Sequence, residues 1–147
     1  MEPPADLSDV IDRFDHVSMA VRSFDDVEGL LDLIGAAHFD GGYAAAGDFH
    51  WTQFTLPGGA RLELIATDSP DPEHFINRFL DERGPGLHHL TFRVHDIATA
   101  RDLAVDRGFT VVGFDDSDPD WRELFLHPRS ANGVLVQLAE FPEKGEA

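Results

Sequence analysis

The chain of 147 residues contains no cysteine, one tyrosine, two tryptophans and a single lysine, Lys144. Without cysteine, neither a disulfide framework nor a thiolate zinc site can form, so any metal must be held by nitrogen and oxygen. No apolar run approaches the roughly 20 residues that a membrane helix needs. The opening Met1-Glu2-Pro3-Pro4-Ala5-Asp6 is acidic and lacks an apolar core. No secretory signal is therefore expected, and the cytoplasm is the default location. Positive charge is scarce: 11 Lys and Arg stand against 28 Asp and Glu, a formal net charge of −17. That balance argues against nucleic acid or an anionic membrane as partner. It suits solubility and cationic ligands, and leaves a small molecule as the expected substrate class.

What is present is an ordinary globular composition, 42% hydrophobic and 27% charged, in a length that predicts one domain over residues 1–147. Residues 1–11 are expected to fray. An alternating strand over 13–21 leads to Ser23, which can cap a helix over 24–34 carrying Val27, Leu30, Leu31 and Ile34, with Gly35 as its stop. The segment through Gly41-Gly42 reads as a poor strand or a loop. Strands at 51–56 and 61–66 flank the Pro57-Gly58-Gly59 turn. A short helix over 72–82 ends at Gly84-Pro85-Gly86. The order then repeats: strand 88–94, helix 96–107, strand 110–114, and a hairpin of 121–126 with 133–139. The pattern is βαβββ twice, with module one at about 13–68 and module two at about 87–140.

The two copies match closely. Asp15-His16-Val17-Ser18-Met19-Ala20-Val21 aligns with His88-His89-Leu90-Thr91-Phe92-Arg93-Val94. His16 precedes Gly35 by 19 positions and His89 precedes Gly108 by 19. His16 precedes Glu63 by 47, and His89 precedes Gln137 by 48. A duplicated unit placing one histidine and one carboxyl or carboxamide side chain per copy can build a pseudo-symmetric metal site. Strand alternation puts Val17, Met19, Phe54, Leu56, Leu62, Leu64, Leu90, Phe92, Leu124, Leu126, Val134, Val136 and Leu138 under the helices. The opposite face then carries His16, His89, Glu63, Ile65, Gln137, Gln53, Glu123, Arg93, Trp51 and Trp121. Two tryptophans among polar groups read as the wall of a cavity. His127, in the last hairpin loop, reads as structural or substrate-contacting, and His38, His74 and His95 read as surface residues. Arg93 is a candidate contact for a substrate carboxylate or phosphate.

These features resemble the vicinal oxygen chelate superfamily of glyoxalase I, extradiol dioxygenases, bleomycin-resistance proteins and methylmalonyl-CoA epimerases. The nearest likeness is to the epimerases, through Gly86-Leu87-His88-His89-Leu90, Phe125-Leu126-His127-Pro128-Arg129-Ser130 and Gly133-Val134-Leu135-Val136-Gln137-Leu138. The resemblance implies an α+β fold of two paired βαβββ modules in a half-barrel, a homodimer, and metal ligands at His16, Glu63, His89 and Gln137. The epimerases usually carry glutamine at the first-module position and glutamate at the second; here the two are exchanged. Their other acid–base glutamate would fall near Gly47 or Asp48, where this chain has none.

Two imidazoles, a carboxylate and an amide oxygen suit Co²⁺, Ni²⁺, Zn²⁺, Mn²⁺ or Fe²⁺ better than Ca²⁺. Such an ion on a carbonyl oxygen acidifies an adjacent C–H bond. Epimerisation needs proton exchange on both faces of the planar intermediate. Glu63 and Glu123 are the only glutamates that alternation places on the ligand face, and they are the expected acid–base pair, with His50 and Asp48 in reserve. The expected function is thus a metal-dependent epimerase or isomerase acting through an enediolate on an acyl-CoA or related carbonyl compound. A glyoxalase-I-like lyase and a non-catalytic drug-binding protein stay open as alternatives.

Overall fold

The computed structural model describes residues 5–143. Eight strands and three α-helices follow one another as β1 (Ile11–Ala20), α1 (Glu28–Leu33), β2 (Ala37–Ala44), β3 (Phe49–Thr55), β4 (Arg61–Ala66), α2 (Phe75–Arg83), β5 (Gly86–Val94), α3 (Ile97–Asp106), β6 (Val111–Asp118), β7 (Trp121–Leu126) and β8 (Val136–Glu140). The strand order is β2-β3-β4-β1-β5-β8-β7-β6. The chain divides into two compact units: one is His16–His88, and the other joins the chain up to Asp15 to the chain from His89 onward. The cut passes through β1 and β5, so each unit carries part of both strands.

Residues 1–4 of the stretch expected to fray lie outside the described residues. The rest is ordered: Asp6 caps a 3-10 turn over Leu7–Asp9, and Val10 is buried with its carbonyl accepting from His95 N at 3.1 Å. The helix expected over 24–34 is two pieces. Ser23 accepts from Asp25 N and opens a 3-10 turn over Phe24–Val27, which tightens into α1. Gly35, at φ 70°, lets the chain turn out of α1 so that Ala36 N reaches Leu31 O at 2.9 Å. The helix expected over 72–82 begins later, at Phe75, because the His74 side chain accepts from Ile76 N and sets the cap there.

The Asp96 carboxylate caps α3 through Thr99 N at 3.1 Å and Thr99 Oγ1 at 2.7 Å. These hydrogen bonds hold its carboxyl below the ordinary range. Asp96→Ala should cost about 1 kcal/mol, lowering the melting temperature by about 3 °C. A depressed folded-state pKa means that this contribution is present above the unfolded pKa and is lost as pH falls through the folded one. Thermal unfolding of both proteins at neutral and acidic pH checks this: the gap between them should close in acid.

The segment through Gly41-Gly42 is a full strand. Gly42 lies opposite Trp51 in the β2–β3 ladder, and a Cβ there would stand 3.1 Å from the indole. Glycine therefore weakens the strand's signature while making room for a ring that lies on it. In the unit 16–88 two clusters form the core. Val21, Val27, Leu31, Leu62, Leu64 and Ala66 pack with Val17, Met19, Phe54 and Leu56. Ala20, Ile65, Ile76 and Leu80 pack with Phe49, Trp51 and Phe79. The second cluster shows what covers the opposite face here: Ile65 and Trp51 obey the alternation, but α2 packs over them, so Trp51, expected to wall a cavity, joins a second core. In the other unit Val94, Ile97, Ala100, Ala104, Leu124, Leu126 and Leu138 form the core. Val134, expected there, precedes β8 and is 40% exposed. Among the described residues, no helix is long and apolar enough to cross a membrane.

Candidate metal centre

In the unit 16–88, parallel pairing of β1 with β4 sets Ser18 against Glu63, and antiparallel pairing of β3 with β4 sets Gln53 against Glu63. Side chains paired across neighbouring strands share a face, and here they meet. Glu63 Oε1 accepts from the Ser18 hydroxyl, and Oε2 accepts from Gln53 Nε2 at 2.8 Å. His16, two residues before Ser18 on the same face, has its Nε2 3.4 Å from Glu63 Oε1. His16 is 1% exposed and Glu63 8%. Burial raises the Glu63 carboxyl, but the adjacent His16 imidazole and the Ser18 and Gln53 hydrogen bonds outweigh it, and the net shift is downward. A carboxylate so held favours its ionised form.

The other unit repeats the register. Parallel pairing of β5 with β8 sets Thr91 against Gln137. Thr91 Oγ1 lies 2.7 Å from Gln137 Oε1, and Gln137 Nε2 lies 2.9 Å from Glu123 Oε1. Gln137 is 6% exposed. His89 stands two residues before Thr91, with its ring edge-on to Phe125 at 6.5 Å between centroids. Each unit therefore buries a hydroxyl bonded to a carboxyl or carboxamide, with a histidine one pleat earlier on the hydroxyl's strand. Each unit thus offers one imidazole and one side-chain oxygen, from Glu63 in one and Gln137 in the other, and no thiolate. Nitrogen and oxygen donors of these kinds suit a divalent ion of the borderline class.

The remaining candidates take other roles. His88 sits against Phe75 and Phe79, at 5.8 and 4.9 Å between ring centroids, and burial pushes its pKa down to about 4. His74, expected on the surface, is a half-buried clasp: besides capping α2, its Nε2 lies 2.8 Å from Gly47 O and 2.9 Å from Asp48 O. His127 caps the 3-10 turn Pro128–Ser130 through Arg129 N. His95 pairs with Asp12 and His50 with Asp68, while His38 is exposed. Asp48 takes the Tyr43 hydroxyl at 2.7 Å. At Gly47 a Cβ would stand 2.7 Å from the Phe49 ring, so a glutamate there would require that ring to shift.

Arg93 is committed internally. Its Nε and Nη2 donate to Phe141 O at 2.9 and 2.7 Å, and its Nη1 pairs with Glu143 at 2.9 Å. Its expected role at a substrate anion is replaced by one in anchoring the segment after β8. Trp121 stacks on Phe141 at 4.8 Å. Glu123 pairs with neither Arg122, which bonds Glu140, nor Arg61, which lies over Phe39. Alternation puts Ser18 and Thr91 on the face of the histidines but gives their hydroxyls no partner. Their identical place, two residues after each histidine, was the available signal.

Over 94 residues the chain is 38% identical to the ethylmalonyl-CoA/methylmalonyl-CoA epimerase of Cereibacter sphaeroides, a match spanning 58% of this chain and 65% of that enzyme. It is 27% identical over 135 residues to the uncharacterized protein YqjC of Bacillus subtilis, covering 88% of this chain and 93% of that one. Among solved structures, methylmalonyl-CoA epimerase from Mycobacterium tuberculosis superposes with a TM-score of 0.78 at 28% identity, over 96% of this chain and 93% of that one. The fold is accordingly the glyoxalase-like one. The family model of the glyoxalase/bleomycin resistance protein/dioxygenase superfamily matches residues 15–125, most of the chain, and the protein belongs to that superfamily.

Proposed function

We propose that this protein is a metal-dependent epimerase whose substrate is a methylmalonyl-CoA-like acyl-CoA, with His16, Glu63, His89 and Gln137 holding one divalent ion. The observation that carries the reading is the repeated, buried arrangement at equivalent register, Ser18 on Glu63 and Thr91 on Gln137. In support, His16 Nε2 and Glu63 Oε1 stand 3.4 Å apart in one unit, both buried. The epimerases among the chain's relatives supply the substrate class.

A bound divalent ion supplies Lewis-acid stabilisation of the negative charge that develops on a substrate carbonyl oxygen, worth several kcal/mol. The chain's own groups do the rest. One carboxylate removes the proton from the carbon between the two carbonyl groups, leaving a planar intermediate, and a carboxylic acid on the opposite face returns a proton with inverted configuration. The reading assigns these roles to Glu63 and Glu123. Both Glu63 oxygens already accept hydrogen bonds, which fixes the orientation of the carboxylate and makes it the weaker base. Among the described residues, Trp121 and Gln137 engage only Oε1 of Glu123, and Oε2 is assigned to proton transfer. Glu123→Gln should retain ion and substrate binding and lose about 10²–10⁴-fold in turnover. Near-normal turnover would shift the second proton transfer to His50 or Asp48.

The deciding experiment is proton exchange by NMR in D₂O. Loss of the α-proton signal of methylmalonyl-CoA, dependent on added Co²⁺ or Zn²⁺, is the expected result. Turnover of a hemithioacetal instead would make the protein a glyoxalase-I-like lyase. Failure to bind or be stabilised by either ion would favour the drug-binding class.

A further inference from the structure

The geometry points to Glu123 as the residue that orients the Gln137 carboxamide, turning its oxygen toward Thr91 and its nitrogen toward Glu123, so that Gln137 can offer only oxygen as a ligand. The purpose of this arrangement rests on the metal-site reading above; its geometry does not.

A carboxamide has two ends of nearly equal shape, and only its neighbours decide which is which. The Thr91 hydroxyl cannot decide it, because a hydroxyl donates or accepts equally well. Trp121 can. An indole N–H only donates, and Trp121 Nε1 lies 2.9 Å from Glu123 Oε1. That oxygen is therefore an acceptor. The Gln137 atom 2.9 Å from the same oxygen must then be the NH₂ group. The amide oxygen is left facing Thr91 Oγ1 at 2.7 Å, which accordingly donates. From one obligate donor, every polar role along Trp121, Glu123, Gln137 and Thr91 follows.

Module one has the opposite need and meets it with the opposite partner. Glu63 requires donors, and its neighbour is the Gln53 amide at 2.8 Å. Gln137 requires an acceptor for its NH₂, and its neighbour is a carboxylate. The routes differ as well. Gln53 stands directly opposite Glu63, whereas Phe125 stands opposite Gln137 and Glu123 stands opposite Ala139. Glu123 thus reaches Gln137 on the diagonal, within range of two long side chains. The exchange of Glu and Gln between the modules travels with an exchange of their partners. An amide nitrogen does not ligate a cation, so an inverted Gln137 would present two N–H bonds to the ion and weaken the site.

Glu123 is in this respect a positioning residue through Oε1, separable from any proton transfer at Oε2. Glu123→Gln keeps a carbonyl oxygen where Oε1 stands and should preserve the orientation, whereas Glu123→Leu removes every acceptor. In the metal-free protein, the Gln137 Nε2 protons should be protected from solvent exchange in the wild type and in Glu123→Gln. They should exchange at least about tenfold faster in Glu123→Leu. Co²⁺ affinity, measured by titration, should change less than about threefold in Glu123→Gln and fall about 10–100-fold in Glu123→Leu, the range seen when a metal ligand's hydrogen-bond partner is lost. Equal protection and equal affinity in Glu123→Leu would overturn the inference. Should Glu123→Leu not fold, the wild type decides alone: Gln137 Nε2 protons should show nuclear Overhauser contacts to the Trp121 indole N–H, and contacts to the Thr91 methyl in their place would overturn it. A wild type that binds no Co²⁺ while keeping the protected amide would sink the metal reading and leave the orientation standing.

Discussion

Leu124→Asp should yield no cooperatively folded protein. Leu124 is 0% exposed and lies in the cluster of Val94, Ile97, Ala100, Ala104, Leu126 and Leu138, to which α3 contributes three side chains. Truncating a buried leucine costs about 2–5 kcal/mol through lost contacts and the cavity left behind. A carboxylate in that space adds the cost of desolvating a group with no partner, several kcal/mol more. The sum is comparable to a whole domain's stability of about 5–15 kcal/mol. The neighbouring Glu123, on the opposite face of β7, provides the control. Glu123→Gln keeps volume and hydrogen-bonding capacity and should melt within about 2 °C of wild type, the scale of a change below 0.5 kcal/mol. Circular dichroism with thermal unfolding of both variants is the measurement. Equal melting temperatures for all three proteins would show that the inside and outside faces of β7 had been assigned wrongly.

His89→Ala should abolish most divalent-ion binding while the fold survives. The side chain is half-buried, with its ring edge-on to Phe125. It carries far less packing than Leu124. Losing a hydrogen-bond partner of a ligand already costs about 10–100-fold in affinity, so losing a ligand should cost at least about 100-fold. Two readouts apply. Elemental analysis should find one ion per wild-type chain and little in the variant. Saturating Co²⁺ at about 100 times its dissociation constant should stabilise the wild type by about 2.7 kcal/mol and leave the variant's melting temperature unmoved. Unchanged stoichiometry in His89→Ala would remove His89 from the ligand set. Loss of folding, which circular dichroism would reveal, would instead mean that the histidine is a packing residue.

Much of this protein was legible in its sequence. The duplication appears as two alternating segments with a histidine at the same place, followed at nearly equal distance by Glu63 and Gln137. Period-two alternation placed Leu62, Leu64, Leu124 and Leu138 in the core and Glu63 and Gln137 on the other face, because a strand's side chains have only two directions to point. Helix positions were legible to within a few residues from Ser23 as a cap and from Gly35 and Gly84 as stops.

The tertiary structure alone decided what covers each face and which polar atom meets which. Ile65 and Trp51 obey the alternation, yet α2 lies over them and makes their face a second core; one strand's pattern carries no information about a helix packed on its back. The strand through Gly42 was faint because its glycine exists for the Trp51 ring across the ladder. Arg93 looked free for a ligand until the chain after β8 returned to bond it at the Phe141 carbonyl. The hydrogen-bond partners of Ser18, Thr91 and Glu123 emerged only with register. Periodicity says which face a side chain takes, but hydrogen bonds form between atoms some 3 Å apart. Residues 45 or 46 positions apart in the chain come that close only once strand pairing has aligned them.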